Sequence, residues 1–134
     1  GCAAYGVTAD RRDGAPGCWV GDRKIGAVGV RVERGVAWHG LALNVGRDLG
    51  AFELIDPCGH VGVTSTSIAL ERDWAAVATG RREAVGAPPP PLDEVARHIA
   101  RSYAAAVGAT LRDTLDVRGE YVGSDTLDQM AVRR

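Results

Sequence analysis

The sequence predicts an α/β (α+β) domain, a sheet carrying packed helices, and three observations predict it. Residues 17–45 form a run rich in β-branched residues with alternating character, and residues 93–115 form an amphipathic run of helical period. The 134-residue length and a composition of 46% hydrophobic and 25% charged residues suit one soluble domain.

The same composition narrows the function. A formal net charge of −1 leaves no basic excess to grip phosphates, so no nucleic-acid partner is expected. No window approaches the roughly 18 unbroken apolar residues of a membrane span, and GCAAYGVTAD lacks the basic start and apolar run of a signal peptide. The apolar share is mostly Ala and Val, which makes burial less stabilising per residue. The chain opens on Gly1 and its single methionine is Met130, so a piece of something longer is expected. Cys2, Cys18 and Cys58 make an odd count with no Cys-x-x-Cys pair. That favours free thiols in a reducing, cytoplasmic setting over a disulfide framework or a cysteine zinc site.

Taken in chain order, Lys24-Ile-Gly-Ala-Val-Gly-Val-Arg-Val32 reads as the best strand, with Val28, Val30 and Val32 alternating with Gly29 and Arg31. Glu33-Arg34-Gly35 supplies a reversal, and Val36 to Val45 returns as the second arm of a hairpin. Gly26 and Gly29 inside the strand mark either close approach of a ligand or backbone, or a twisted strand tucked under a helix. Leu49, Phe52 and Ile55 space a short helix over Asp48–Ile55, which Pro57 stops. Thr64 to Leu70 reads as another short helix capped by Thr64 or Ser65. Gly80, Gly86 and the prolines Pro88 to Pro91 make 75–91 a flexible insertion. Val95, Ile99, Tyr103 and Val107 line one face of a helix from Asp93 to Leu115, with Pro91 ahead of it and Asp93-Glu94 in its first turn. Beyond Arg118 the patterning is weak and a frayed tail is expected.

Two residues stand out chemically. Lys24 is the one lysine among sixteen Lys and Arg residues. Lysine can lose its proton when buried and arginine cannot, although an ordinary strand-end lysine fits the same position. Cys58 lies in Asp56-Pro57-Cys58-Gly59-His60, where Pro and Gly fix the backbone around an accessible thiol. A nucleophilic thiol needs a nearby cation or helix N-terminus; a small buried cysteine in a turn is the alternative. Cys18, Cys58, His39, His60 and His98 match no regular zinc spacing, so no metal is expected. Gly26-x-x-Gly29 lies within a strand and is no dinucleotide fingerprint.

Five blocks then occur in order: Trp19-Val20, Lys24 to Val32, His39-Gly-Leu-Ala-Leu-Asn44, Pro57-Cys58-Gly59 and Val63-Thr64-Ser65. Together they resemble the C-terminal part of the lipoyl(octanoyl) transferases, the octanoyl-[acyl carrier protein]:protein N-octanoyltransferases, densely from Gly17 to Ser65. The resemblance implies a mixed sheet with packed helices, similar to the catalytic domains of the biotin- and lipoate-protein ligases. It makes 1–134 the C-terminal part of one such catalytic domain. The family's N-terminal Arg-Gly-Gly and His-Gly-Pro-Gly-Gln stretches do not occur here.

By position, the resemblance makes Cys58 the acyl-thioester nucleophile and Lys24 the residue that lowers its pKa. Ala27, Val28 and Gly29, with Gly40, Leu41 and Ala42, become the acyl-pocket lining, and His39 and Asn44 its support. The implied reaction moves an octanoyl group from octanoyl-acyl carrier protein, through Cys58, to a lysine of the lipoyl domains of 2-oxoacid dehydrogenases and of the glycine cleavage H protein. It needs no cofactor. An inactive fragment, or a non-catalytic module that binds acyl groups or lipoyl domains, is the alternative expectation.

Overall fold

The computed structural model describes residues 1–54 and 62–110. These fall into two compact units that part between Pro90 and Pro91. The first is an antiparallel sheet with one helix. Four strands, β1 (Asp10–Arg12), β2 (Ala15–Val20), β3 (Arg23–Glu33) and β4 (Val36–Leu43), lie in the order β1-β2-β3-β4. The architecture is α+β, as expected from the sequence, with every strand pair antiparallel and the parallel component reduced to an isolated bridge between Lys24 and Ser65.

Each strand connection is a two-residue turn. Arg12 pairs with Ala15 across Asp13-Gly14, Val20 with Arg23 across Gly21-Asp22, and Glu33 with Val36 across Arg34-Gly35. At the last turn both loop residues have positive φ, 52° for Arg34 and 81° for Gly35. Such a turn matches the right-handed twist of the flanking strands.

Helix α1 (Ile68–Ala78) starts later than the sequence predicts because residues 64–66 are held extended alongside Lys24. The cap is therefore Ser67, whose hydroxyl accepts from the Leu70 N–H at 3.2 Å, and not Thr64 or Ser65. The helix expected over 48–55 is a 3-10 turn, Gly50–Leu54, as far as the description reaches. Val7, Trp19, Ile25, Val45, Ile68, Ala69 and Ala76 form the buried apolar set of this unit, with Ile25 and Ile68 wholly enclosed.

Arg47 clamps the middle of α1. Its guanidinium makes paired bonds of 2.7 and 2.9 Å to Asp73 and donates to the Ala87 carbonyl at 2.8 Å, while the Gly86 N–H donates to Asp73 at 2.9 Å. Residues 75–91 thus comprise the end of α1, a 3-10 turn at Arg82–Ala84, a stretch tied back through Gly86 and Ala87, and the proline run.

The second unit contains α2 (Leu92–Val107), with Asp93 and Glu94 in its first turn and Val95 and Ala104 buried. It ends eight residues short of the predicted Leu115 because Gly108 adopts a left-handed φ of 69° and its N–H caps the last carbonyls. Residues 111–115 and the tail lie outside the described residues. Among those described, no helix is long and apolar enough to cross a membrane.

Candidate active site

Lys24 sits where three pieces of chain meet. It is 5% exposed, deep burial for a lysine. Across the β2–β3 ladder its partner is Trp19, and its ammonium lies 5.5 Å from the centroid of the indole ring. The register advances by one residue on β2 (Cys18 to Trp19) while it advances by two on β3 (Gly26 to Lys24). Ile25 is therefore the extra residue of a bulge, a feature that bends a strand and re-aims its side chains. The break in alternation allows Lys24, Ile25 and Gly26 to be buried in succession.

The lysine's other flank is closed by the chain just before α1. Its N–H donates to the Thr64 carbonyl at 2.9 Å and its carbonyl accepts from the Thr66 N–H at 2.9 Å. Asn44 fastens the same segment to the sheet: its side-chain amide donates to the Thr66 carbonyl at 2.9 Å, and its backbone carbonyl accepts from the Ile68 N–H. Thr66 and Glu71 complete the junction. The Thr66 hydroxyl donates to Glu71 at 2.7 Å, and Arg23 makes a paired contact with the same carboxylate at 2.9 and 3.0 Å. Arg23 also lies 4.5 Å from the centroid of the Trp74 ring. A carboxylate only 8% exposed is thus fully partnered from two elements.

Further along β3 the hairpin opens into a shallow groove. Ala27, Gly29, Val30, Arg31, Gly40, Leu41 and Ala42 line it. In register, Ala27 faces Ala42 and Gly29 faces Gly40, which leaves a floor of small residues. A Cβ built at Gly29 or Gly40 would meet nothing within 4 Å. Gly26 differs, since a Cβ there would stand 2.9 Å from the Ala42 carbonyl oxygen. Close backbone approach therefore applies at Gly26, whereas the space beside Gly29 is open and, among the described residues, no helix packs against it there. Val28, paired with Leu41, is not among the lining residues and is exposed.

His39 pairs with Val30 within β4; its side chain lies outside the described residues, as does Cys58 with the whole of 55–61. Of the other two thiols, Cys2 is half-buried, and burial followed by the neighbouring Cys18 pushes its pKa up. That lowers its thiolate fraction and makes it a poor nucleophile. Among the described residues no three His, Cys, Asp or Glu side chains gather in an arrangement suited to a metal ion.

Residues 1–79 match the lipoyl protein ligase A/B catalytic domain, more than half of the chain. The chain belongs to this family. It is similar to the octanoyltransferases of Desulfovibrio desulfuricans (56% identical over 69 residues, 52% of this chain and 29% of the relative) and Dechloromonas aromatica (54% over 61 residues, 46% and 30%). Against the octanoyltransferase of Hahella chejuensis it is 48% identical over 79 residues, 57% of this chain and 35% of the relative. The chain therefore spans about a third of the length of the curated relatives it matches. In this lipoyl protein ligase A/B domain, the matched stretch takes in the whole sheet, the Lys24 junction and α1.

The five sequence blocks do not by themselves give the partners that hold Lys24. Trp19 stands in one block and Lys24 in the next, and the hairpin signal Gly21-Asp22 between two β-rich runs is what sets them side by side. Glu71 and Thr66 carry no comparable signal, because their roles depend on contacts with Arg23 and Lys24 of β3, more than 40 residues away in sequence.

Proposed function

We propose that the chain carries the acyl-transfer residues of an octanoyltransferase, with Cys58 as nucleophile and Lys24 as the cation that favours its thiolate. The observation that carries this reading is the double backbone bond of Lys24 to Thr64 and Thr66. It ties the lysine to the segment that begins six residues after Cys58 in the sequence. The small-residue groove along Ala27, Gly29, Gly40 and Ala42, on the same strand pair as Lys24, supports an acyl chain laid against the hairpin.

In the reading, the Cys58 thiolate attacks the thioester carbonyl of octanoyl-acyl carrier protein and the carrier's thiolate leaves. The amine of a lysine on a lipoyl domain, of a 2-oxoacid dehydrogenase or the glycine cleavage H protein, then attacks the new thioester. An amide forms, the Cys58 thiolate is released, and the amine's proton passes to base. The side chains that do this need neither metal nor nucleotide, and a reducing cytoplasmic setting keeps Cys58 a thiol. Ala27, Gly29, Gly40, Leu41 and Ala42 hold the acyl chain, with Val28 beside them on the strand but outside the groove lining, and His39 and Asn44 support the site.

A second reading, a module that binds the acyl group or the lipoyl domain without turnover, is favoured by one observation: Val28, Val30, Val32 and Leu41 are all about half exposed or more, so the hairpin is open. The experiment that separates the two is transfer to product. With octanoyl-acyl carrier protein and a purified apo lipoyl domain, the first reading expects an octanoyl amide on the lipoyl domain. Binding of either substrate with no amide formed would favour the second.

A further inference from the structure

The geometry points to Trp19 as the positioning residue for Lys24, its indole face setting where the ammonium stands, in a slot that Gly17 keeps clear. The inference rests on the reading of Lys24 as the partner of Cys58 and adds a residue to it.

Four observations converge on the indole. Trp19 and Lys24 are directly paired across β2 and β3, and the ammonium lies 5.5 Å from the ring centroid, within cation–π range. The ring cannot drift, because its Nε1–H donates to the Ala15 carbonyl at 2.9 Å and the residue is 4% exposed. Arg12, itself paired with Asp22, lies 4.8 Å from the same centroid. Finally, Gly17 has a φ of 136°, and a Cβ built there would stand 2.8 Å from Lys24 Cε and 2.5 Å from the Gly26 carbonyl oxygen. The lysine's stem therefore occupies the space that a side chain at residue 17 would take.

The chemistry explains why an aromatic face suits this task. A free lysine stem samples many rotamers, and holding it at one place costs entropy that a specific contact must offset. A carboxylate would hold the ammonium but would cancel its field at a nearby thiolate. An indole attracts the cation through its quadrupole and brings no net charge, so the ammonium is held and its charge is kept.

Because Lys24 is the only lysine, protein grown with lysine labelled with 13C at Cε shows a single side-chain methylene signal. In the unmodified chain that signal is expected to be displaced upfield by the Trp19 ring; a methylene at its random-coil position overturns the proposal without any variant having to fold. The functional readout is the pH profile of Cys58 alkylation by iodoacetamide, followed by peptide mass, with folding checked by thermal melting. Trp19→Leu is expected to abolish the upfield displacement and slow alkylation at neutral pH about fivefold, moving the profile to higher pH. Trp19→Phe is expected to retain most of both. A folded Trp19→Leu with an unmoved profile overturns the positioning role. An unmoved profile in Lys24→Met instead overturns the underlying Lys24–Cys58 reading, and so the two failures are told apart.

Discussion

Lys24 and Ser65 face one another as a parallel bridge, flanked by backbone bonds of 2.9 Å to Thr64 and from Thr66. Among the described residues, every other strand pairing joins neighbours in sequence through a two-residue turn. This contact spans some 40 residues and brings the region after Cys58 back to the lysine, so the geometry of the site depends on what holds 64–66 in place.

Glu71 is one of those holds, joined to both Thr66 and Arg23. Replacing it with Ala strands the Arg23 guanidinium and removes the acceptor for Thr66, at an expected cost of about 3 kcal/mol. Thr66→Val removes one bond and is expected to cost about 1 kcal/mol. Urea unfolding of the two variants checks the ranking; equal losses would show that the hydroxyl, and not the arginine pair, anchors α1.

The groove floor and the strand contact next to it respond oppositely to added bulk. Gly29→Val and Gly40→Val place side chains in open space, so stability is expected to change by less than about 0.5 kcal/mol. Acylation by an octanoyl donor should fall because the floor is filled. Gly26→Ala instead drives a methyl towards the Ala42 carbonyl and is expected to cost about 1–3 kcal/mol. Melting temperature and acylation rate, measured on the same samples, separate the two effects.

Asp73 sets an acid limit on the clamp. Its bonds to Arg47, and then to the Gly86 N–H, hold its pKa down from 3.8 to about 2. A depressed carboxyl contributes stability that is present above its unfolded pKa and lost as pH falls through the folded one. The contribution is therefore expected to be full above pH 4 and to fade between about 4 and 2. Asp73→Asn should flatten the wild-type stability curve over that window; an unchanged slope would place the acid sensitivity elsewhere.

The β3–β4 turn offers a stabilising change. Arg34 holds a φ of 52°, a region that Asn and Gly enter at less cost. Arg34→Asn is expected to raise the melting temperature slightly, whereas Gly35→Ala, at a φ of 81°, should lose about 1–2 kcal/mol. A neutral Gly35→Ala would mean that the turn relaxes to another type.

Much of the sheet was legible in the sequence because its signals are local. Alternation gave β3 and β4, and Glu33-Arg34-Gly35 gave their turn. Asp13-Gly14 and Gly21-Asp22 are equally good hairpin signals, and they mark the turns that join β1 to β2 and set Trp19 opposite Lys24. Helix starts were harder. Thr64 and Ser65 have good capping side chains, but a tertiary bridge holds them extended, and Ser67 takes the cap. The end of α2 at Gly108 was readable from a glycine inside the apolar pattern. The clamps through Arg23, Glu71, Arg47 and Asp73 were not, because charged residues on surface-like faces give no hint of which distant partner they meet.

If Cys58, assisted by Lys24, accepts an acyl group, intact-protein mass after mixing with octanoyl-acyl carrier protein reads it out. One added octanoyl group is expected, released by hydroxylamine, absent from Cys58→Ser and formed much more slowly by Lys24→Ala. Folded protein that gains no adduct, or an adduct that persists in Cys58→Ser, would contradict it.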